Sequence, residues 1–165
     1  MNGSLVTFKL YHLLPGRVTN KIDASSHINI SCRLEIFILF LALMKRILIF
    51  DDDADILDIL KYLLEDNGWV VHTRRDCNDL LDAVESCGPD IILMDNWIPE
   101  KGGIVATQLL KNNERYKNIP VIYFSANNNI KVLAEEAGAD AWLAKPFDLN
   151  DLETMLNSYK QNASD

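Results

Sequence analysis

From residue 45 onward, short, largely apolar runs alternate with longer segments whose apolar residues recur every three or four positions. The runs over 45–50, 69–73, 90–94, 120–124 and 141–144 predict five strands. Apolar runs of this length with little polar alternation predict strands covered on both faces. The first intervening segment, 54–67, predicts a helix through Ile56, Leu57, Leu60, Leu63 and Leu64, with Gly68 as its stop. Asp76 reads as the cap of a second helix, with Leu80, Leu81 and Val84 inward and Gly88-Pro89 ending it. Gly102-Gly103 precede a third helix through Val105, Leu109 and Leu110. A fourth carries Ile130, Leu133, Ala134 and Ala137 and stops at Gly138. Asp148 caps a last one carrying Leu149, Leu152, Met155, Leu156 and Tyr159. Strands alternating with helices predict an α/β fold. The right-handed crossover rule narrows the topology to a doubly wound, flavodoxin-like sheet of five parallel strands. Its expected order is 2-1-3-4-5, with helices on both faces.

The first 44 residues follow no such pattern. They hold four basic and two acidic residues, a charge of +2, so the formal −8 of the whole 165-residue chain leaves −10 on residues 45–165. The uncharged stretch from Ile36 to Met44 is far shorter than the ~20 residues of a bilayer span. Three readings stay open: an extension upstream of a natural start at Met44, a poorly ordered tail, and an uncleaved targeting segment. A single folded domain is expected at 45–165.

The acidic balance argues against nucleic acid, which needs a basic face, and against an anionic membrane surface. Three Cys with no Cys-x-x-Cys pair and no Cys/His cluster supply neither a zinc site nor a disulfide framework, and predict a cytoplasmic protein.

In the expected topology, ligands bind where the C-terminal ends of strands 1 and 3 diverge. Strand 1 ends in Asp51-Asp52-Asp53, strand 3 in Asp95, strand 4 in Ser125 and strand 5 in Lys145-Pro146. Each has an ordinary reading when taken alone. Asp53 fits a helix cap, Ser125 a cap or loop residue, and Lys145 a solvated lysine. One helix needs one cap, however, so Asp51 and Asp52 are not both explained, and no helix begins directly after Asp95. Two like charges ~4 Å apart repel by about 4 kcal/mol at an effective dielectric near 20. Carboxylates gathered on one rim therefore need a proton or a cation. Hard oxygens with open positions suit Mg²⁺, a lysine supplies a point charge for a phosphoryl oxygen, and a carboxylate can serve as nucleophile.

These stretches, together with Ile92-Leu93-Met94-Asp95, Pro99, Gly102-Gly103, Ser125-Ala126, Gly138-Ala139-Asp140-Ala141 and Lys145-Pro146-Phe147, resemble a response-regulator receiver domain of two-component signalling over residues 45–159. The resemblance implies that Asp95 takes a phosphoryl group from a histidine kinase or histidine phosphotransfer protein. Asp52 and Asp95 would ligate Mg²⁺, with Mn²⁺ as the alternative ion. The backbone carbonyl of Trp97 would be a third ligand, and Asp51 would act through water. Lys145 would pair with Asp95 and then with the phosphoryl group, Ser125 would bond a phosphoryl oxygen, and Trp142 would follow Ser125 as the switch aromatic. Lys145–Pro146 is expected to be cis. A downstream protein would bind the face of helix 4, strand 5 and helix 5, which could also form a homodimer. With few residues after the last helix, the expected form is a stand-alone, chemotaxis-type receiver that catalyses its own phosphorylation and dephosphorylation.

The chain departs from the family in four places. Trp142 stands where Tyr or Phe is usual, Ser125 where Thr is commoner, Ile98 where Met precedes the proline, and Trp97 is a large apolar residue two past the phosphoacceptor. Trp97 is expected to shield the acyl phosphate from water or merely to pack on nearby loops, whereas Asn127, two past Ser125, could orient a water. Two other classes compete. A haloacid-dehalogenase-like phosphatase would use Asp51 as nucleophile, but carries no reason for Asp95, Ser125 and Lys145. A phosphorylation-independent interaction module would leave the acidic rim as an uncompensated cost.

Overall fold

The computed structural model describes residues 44–161. The segment 1–43, including nearly all of the apolar stretch before Met44, lies outside the described residues, as do the last four positions.

Five strands, β1 (Arg46–Phe50), β2 (Val70–Arg74), β3 (Ile91–Asp95), β4 (Val121–Ser125) and β5 (Ala141–Ala144), form one parallel sheet in the order 2-1-3-4-5. Among the described residues, five helices alternate with them: α1 (Ala54–Asp66), α2 (Leu80–Cys87), α3 (Gly102–Lys111), α4 (Ile130–Ala137) and α5 (Leu149–Gln161). Successive strand side chains point to opposite faces, and both faces are covered. Leu48, Phe50, Ile92, Met94, Val121 and Tyr123 pack with α2, α3 and α4. Ile47, Ile49, Ile91, Leu93, Ile122 and Phe124 pack with α1 and α5. Burial of each such large side chain contributes about 1.5–3 kcal/mol, so β1, β3 and β4 form the rigid base of the rim.

The helix boundaries follow local chemistry. Asp53 caps α1, its carboxylate accepting from the N–H groups of Asp55 (2.9 Å) and Ile56 (3.3 Å). Asn67 is the C-cap, and Gly68 follows with φ +81°. At α2 the expectation needs correction. The helix begins at Leu80 after Asp79, and Asp76 instead accepts from Asn78 N–H at 3.0 Å, closing a turn ahead of the helix. Leu81 is exposed, and the inward face is Leu80, Ala83, Val84 and Cys87. On α3, Val105 and Leu109 likewise point outward, whereas Gly103, Ala106, Thr107 and Leu110 face the sheet. Close approach to the sheet selects small residues there over larger apolar ones.

Candidate functional site

The register sets the C-terminal strand ends level. Phe50 lies opposite both Arg74 and Met94, Asp95 opposite Phe124, and Ser125 opposite Ala144. The residues just past β1 and β5 therefore reach the same rim as Asp95. The pairing continues one step further, with Asp51 N–H donating to Arg74 O (3.1 Å) and Lys145 N–H to Ser125 O (2.8 Å).

Lys145 is the centre of the rim. Its ammonium donates to Asp51 Oδ2 at 2.6 Å and to Asp95 Oδ1 at 2.8 Å. It also sits 4.2 Å from the centroid of the Phe124 ring, which is in edge contact with Phe147. Asp51 and Asp95 are 1% and 5% exposed. Buried carboxylates at this depth require compensation, and every oxygen has a donor. Asp51 Oδ1 accepts from Asp53 N–H at 2.9 Å, and Asp95 Oδ2 from the peptide N–H of Trp97. Burial nevertheless holds the Asp95 carboxyl above its ordinary range. Lys145 and the Trp97 N–H pull it down, and Asp51 adds a smaller upward push.

Asp52 is half-buried, and its carboxylate has no hydrogen bond or ion pair among the described residues. Its backbone carbonyl accepts two bonds from the Arg75 guanidinium, at 3.2 and 3.0 Å. Ser125 is buried, with Oγ accepting from Asn127 N–H at 3.3 Å, and Asn127 Oδ1 in turn accepts from Asn129 N–H at 2.8 Å. Trp142 is 41% exposed on β5, and Trp97 is 76% exposed beside the rim. The Lys145–Pro146 bond is cis.

Among the described residues, no three His, Cys, Asp or Glu side chains converge closely enough to hold a metal ion unaided. The ammonium of Lys145 lies between two of the three rim carboxylates. The unpaired Asp52 carboxylate and the second lone pairs of Asp95 still suit a hard dication that takes only a few protein oxygens and keeps several waters. The donor set therefore fits Mg²⁺.

Several supporting contacts have no signature in the sequence. A Cβ on Gly103 would lie 2.0 Å from the carbonyl oxygen of Asp95, so glycine there lets α3 approach the end of β3. Tyr123 Oη donates to Asn96 Oδ1 at 2.7 Å, and burial pushes this phenol above its usual range. Glu100 adopts φ +69°, uncommon for a non-glycine residue. Lys101 ties the same loop to the carbonyls of Cys77 and Asn78, each at 3.3 Å. Cys77 and Cys87 are buried free thiols, and burial raises Cys77 to about 12, so it is a packing group.

The family model described as the response regulator receiver domain matches residues 47–157. The CAI-1 autoinducer sensor kinase/phosphatase CqsS of Vibrio cholerae is 38% identical over 107 residues. That match covers 63% of this chain and 16% of the relative, so the chain spans about a sixth of its length. Among solved structures, the receiver domain of a sensor histidine kinase from Pseudomonas aeruginosa PAO1, with a magnesium ion coordinated in its active-site cleft, is 26% identical. Its TM-score is 0.66, covering 72% of this chain and 98% of that one. The chemotaxis protein CheY4 of Vibrio cholerae is 25% identical with a TM-score of 0.64, covering 70% and 98%. With its sheet order, its level acidic rim and a family match over most of its length, the chain belongs to the response regulator receiver domain family of two-component signalling.

Proposed function

We propose that this chain accepts a phosphoryl group on Asp95 and passes the change to a protein partner. The observation that carries the proposal is the Lys145 ammonium bridging Asp51 and Asp95, two buried carboxylates at the ends of β1 and β3. A carboxylate oxygen of Asp95 attacks phosphorus, the bond from phosphorus to the donor's imidazole nitrogen breaks, and the leaving nitrogen regains its electron pair. Lys145 then follows the charge from the carboxylate to the phosphoryl oxygens. Asp51 keeps the ammonium on the rim throughout. A phosphatase that used Asp51 as its nucleophile would leave the Lys145 bridge to Asp95 without a role.

Asp52, Asp95 and the Trp97 carbonyl would hold Mg²⁺, or Mn²⁺, with Asp51 reached through water. Such an ion supplies neutralisation of charge on the transferring phosphoryl oxygens. The Ser125 hydroxyl would bond one of those oxygens, and Trp142 would move with it, altering the face of α4, β5 and α5 that meets a downstream partner or a second copy. Trp97, exposed beside the rim, would slow hydrolysis by limiting water, while Asn127 would favour it.

A phosphodonor must present its histidine to Asp95. An apolar groove of about 490 Å³ lies beside Lys145, lined by Ile56, Ile59, Leu60, Phe147 and Leu149. It offers a surface for a histidine kinase or a phosphotransfer protein. Among the described residues no helix is long and apolar enough to cross a membrane, and the reading is of a cytoplasmic receiver whose working part begins near residue 45. Incubation with acetyl phosphate and Mg²⁺ tests the proposal. Incorporation is expected in the wild type and lost in Asp95→Asn. Undiminished incorporation in Asp95→Asn would refute it.

A further inference from the structure

The bond between Tyr123 and Asn96 joins the core to the residue that follows the phosphoacceptor. Tyr123 is fully buried on β4, among Leu48, Phe50, Ile92 and Met94 on the α2–α3–α4 side of the sheet. A phenylalanine would fill that space without burying a hydroxyl, so packing alone does not account for the tyrosine. Its hydroxyl donates to Asn96 Oδ1 at 2.7 Å. The peptide between Asn96 and Trp97 is bonded at both ends as well. Its carbonyl accepts from Gly103 N–H at 3.1 Å, and its N–H donates to Asp95 Oδ2. The orientation of this one peptide plane therefore fixes one oxygen of Asp95, and the Asn96 side chain ties the plane to β4.

We propose that Tyr123 is a positioning residue for phosphoryl transfer, acting through Asn96 to hold the Trp97 N–H on Asp95. The assignment rests on the reading of Asp95 as phosphoacceptor. Loss of one hydrogen bond that acts only on alignment predicts a rate effect with little change in donor binding. Tyr123→Phe should lower the rate at saturating acetyl phosphate about 3- to 10-fold and leave the KM for acetyl phosphate within about twofold. Asn96→Ala should give the same loss, and the double variant no more than either single one, because both remove one connection. The amide resonance of Trp97 should shift in each variant.

Rates should be taken on protein shown to be folded by its melting transition. The Asn96→Ala series carries the test if Tyr123→Phe folds poorly. A wild-type rate in Tyr123→Phe, or losses that multiply in the double variant, would overturn the assignment while leaving Asp95 as acceptor. No incorporation into the wild type would overturn the phosphoacceptor reading, and this assignment with it.

Discussion

Replacing Gly103 by alanine pits two calculable effects against each other. Gly103 is the second residue of α3, where alanine is favoured over glycine by at most about 1 kcal/mol, the figure for a helix interior. Against this, the new Cβ would stand 2.0 Å from Asp95 O and 3.0 Å from Asn96 Cα, both backbone atoms at the end of the central strand. Ordinary contact begins near 3.4 Å, so α3 and the β3 end must separate by about 1.4 Å. Overpacking of this kind costs about 1–3 kcal/mol, and contact with backbone rather than a mobile side chain argues for the upper end. The net expectation is a loss of about 2 kcal/mol, or roughly 8 °C in Tm for a domain of this size. The shift falls on the turn that aligns Asp95, and a misplacement near 1 Å can cost about 100-fold in rate. Calorimetry and acetyl-phosphate incorporation read the two effects separately. An alanine variant that melts higher than wild type and incorporates phosphate at the normal rate would refute the packing argument.

Other expectations follow from the rim. Burial holds the Asp95 carboxyl above its unfolded range. Its contribution to stability is therefore present below the unfolded pKa and is lost as pH rises through the folded one. Asp95→Asn, which is never charged, should melt above wild type at pH 7 without divalent cation. The gap should close as pH falls through the carboxylate range; melting scans across pH check this, and a gap that widens in acid contradicts it. Lys145→Met leaves Asp51 and Asp95 buried without their shared counter-charge and should cost about 3–5 kcal/mol at neutral pH by urea titration; an unchanged midpoint argues against the bridge. Trp97→Asn, at a position 76% exposed, should leave stability within about 0.5 kcal/mol and speed decay of the acyl phosphate. Decay that is equal or slower removes the shielding role.

The strands were legible because a parallel sheet buried on both faces needs uninterrupted apolar runs, as in Ile91–Asp95. The level ends of β1, β3, β4 and β5 then follow from topology, which is why the sequence alone places Asp51, Asp95, Ser125 and Lys145 on one rim. The inward faces of α2 and α3 were less legible. Leu81, Val105 and Leu109 look like core residues, yet the sheet is met by Ala83, Gly103 and Ala106, whose smallness permits close approach. The local bond of Asp76 to Asn78 mimics a helix cap in sequence while closing a turn. Contacts such as Tyr123 to Asn96, Arg75 to the Asp52 carbonyl and Lys145 over Phe124 join distant elements and leave no periodicity to read. Gly103 was visible as half of a Gly-Gly pair, but the carbonyl it spares was not.

Asp95 is the proposed carrier of the phosphoryl group. Borohydride reduces an acyl phosphate to the alcohol, so protein treated with acetyl phosphate and Mg²⁺ and then reduced should contain homoserine in place of one aspartate. Peptide sequencing by mass spectrometry locates it. Homoserine at position 95 and at no other aspartate is the predicted result; homoserine at position 51, or none in protein that has been shown to be folded, would contradict the account.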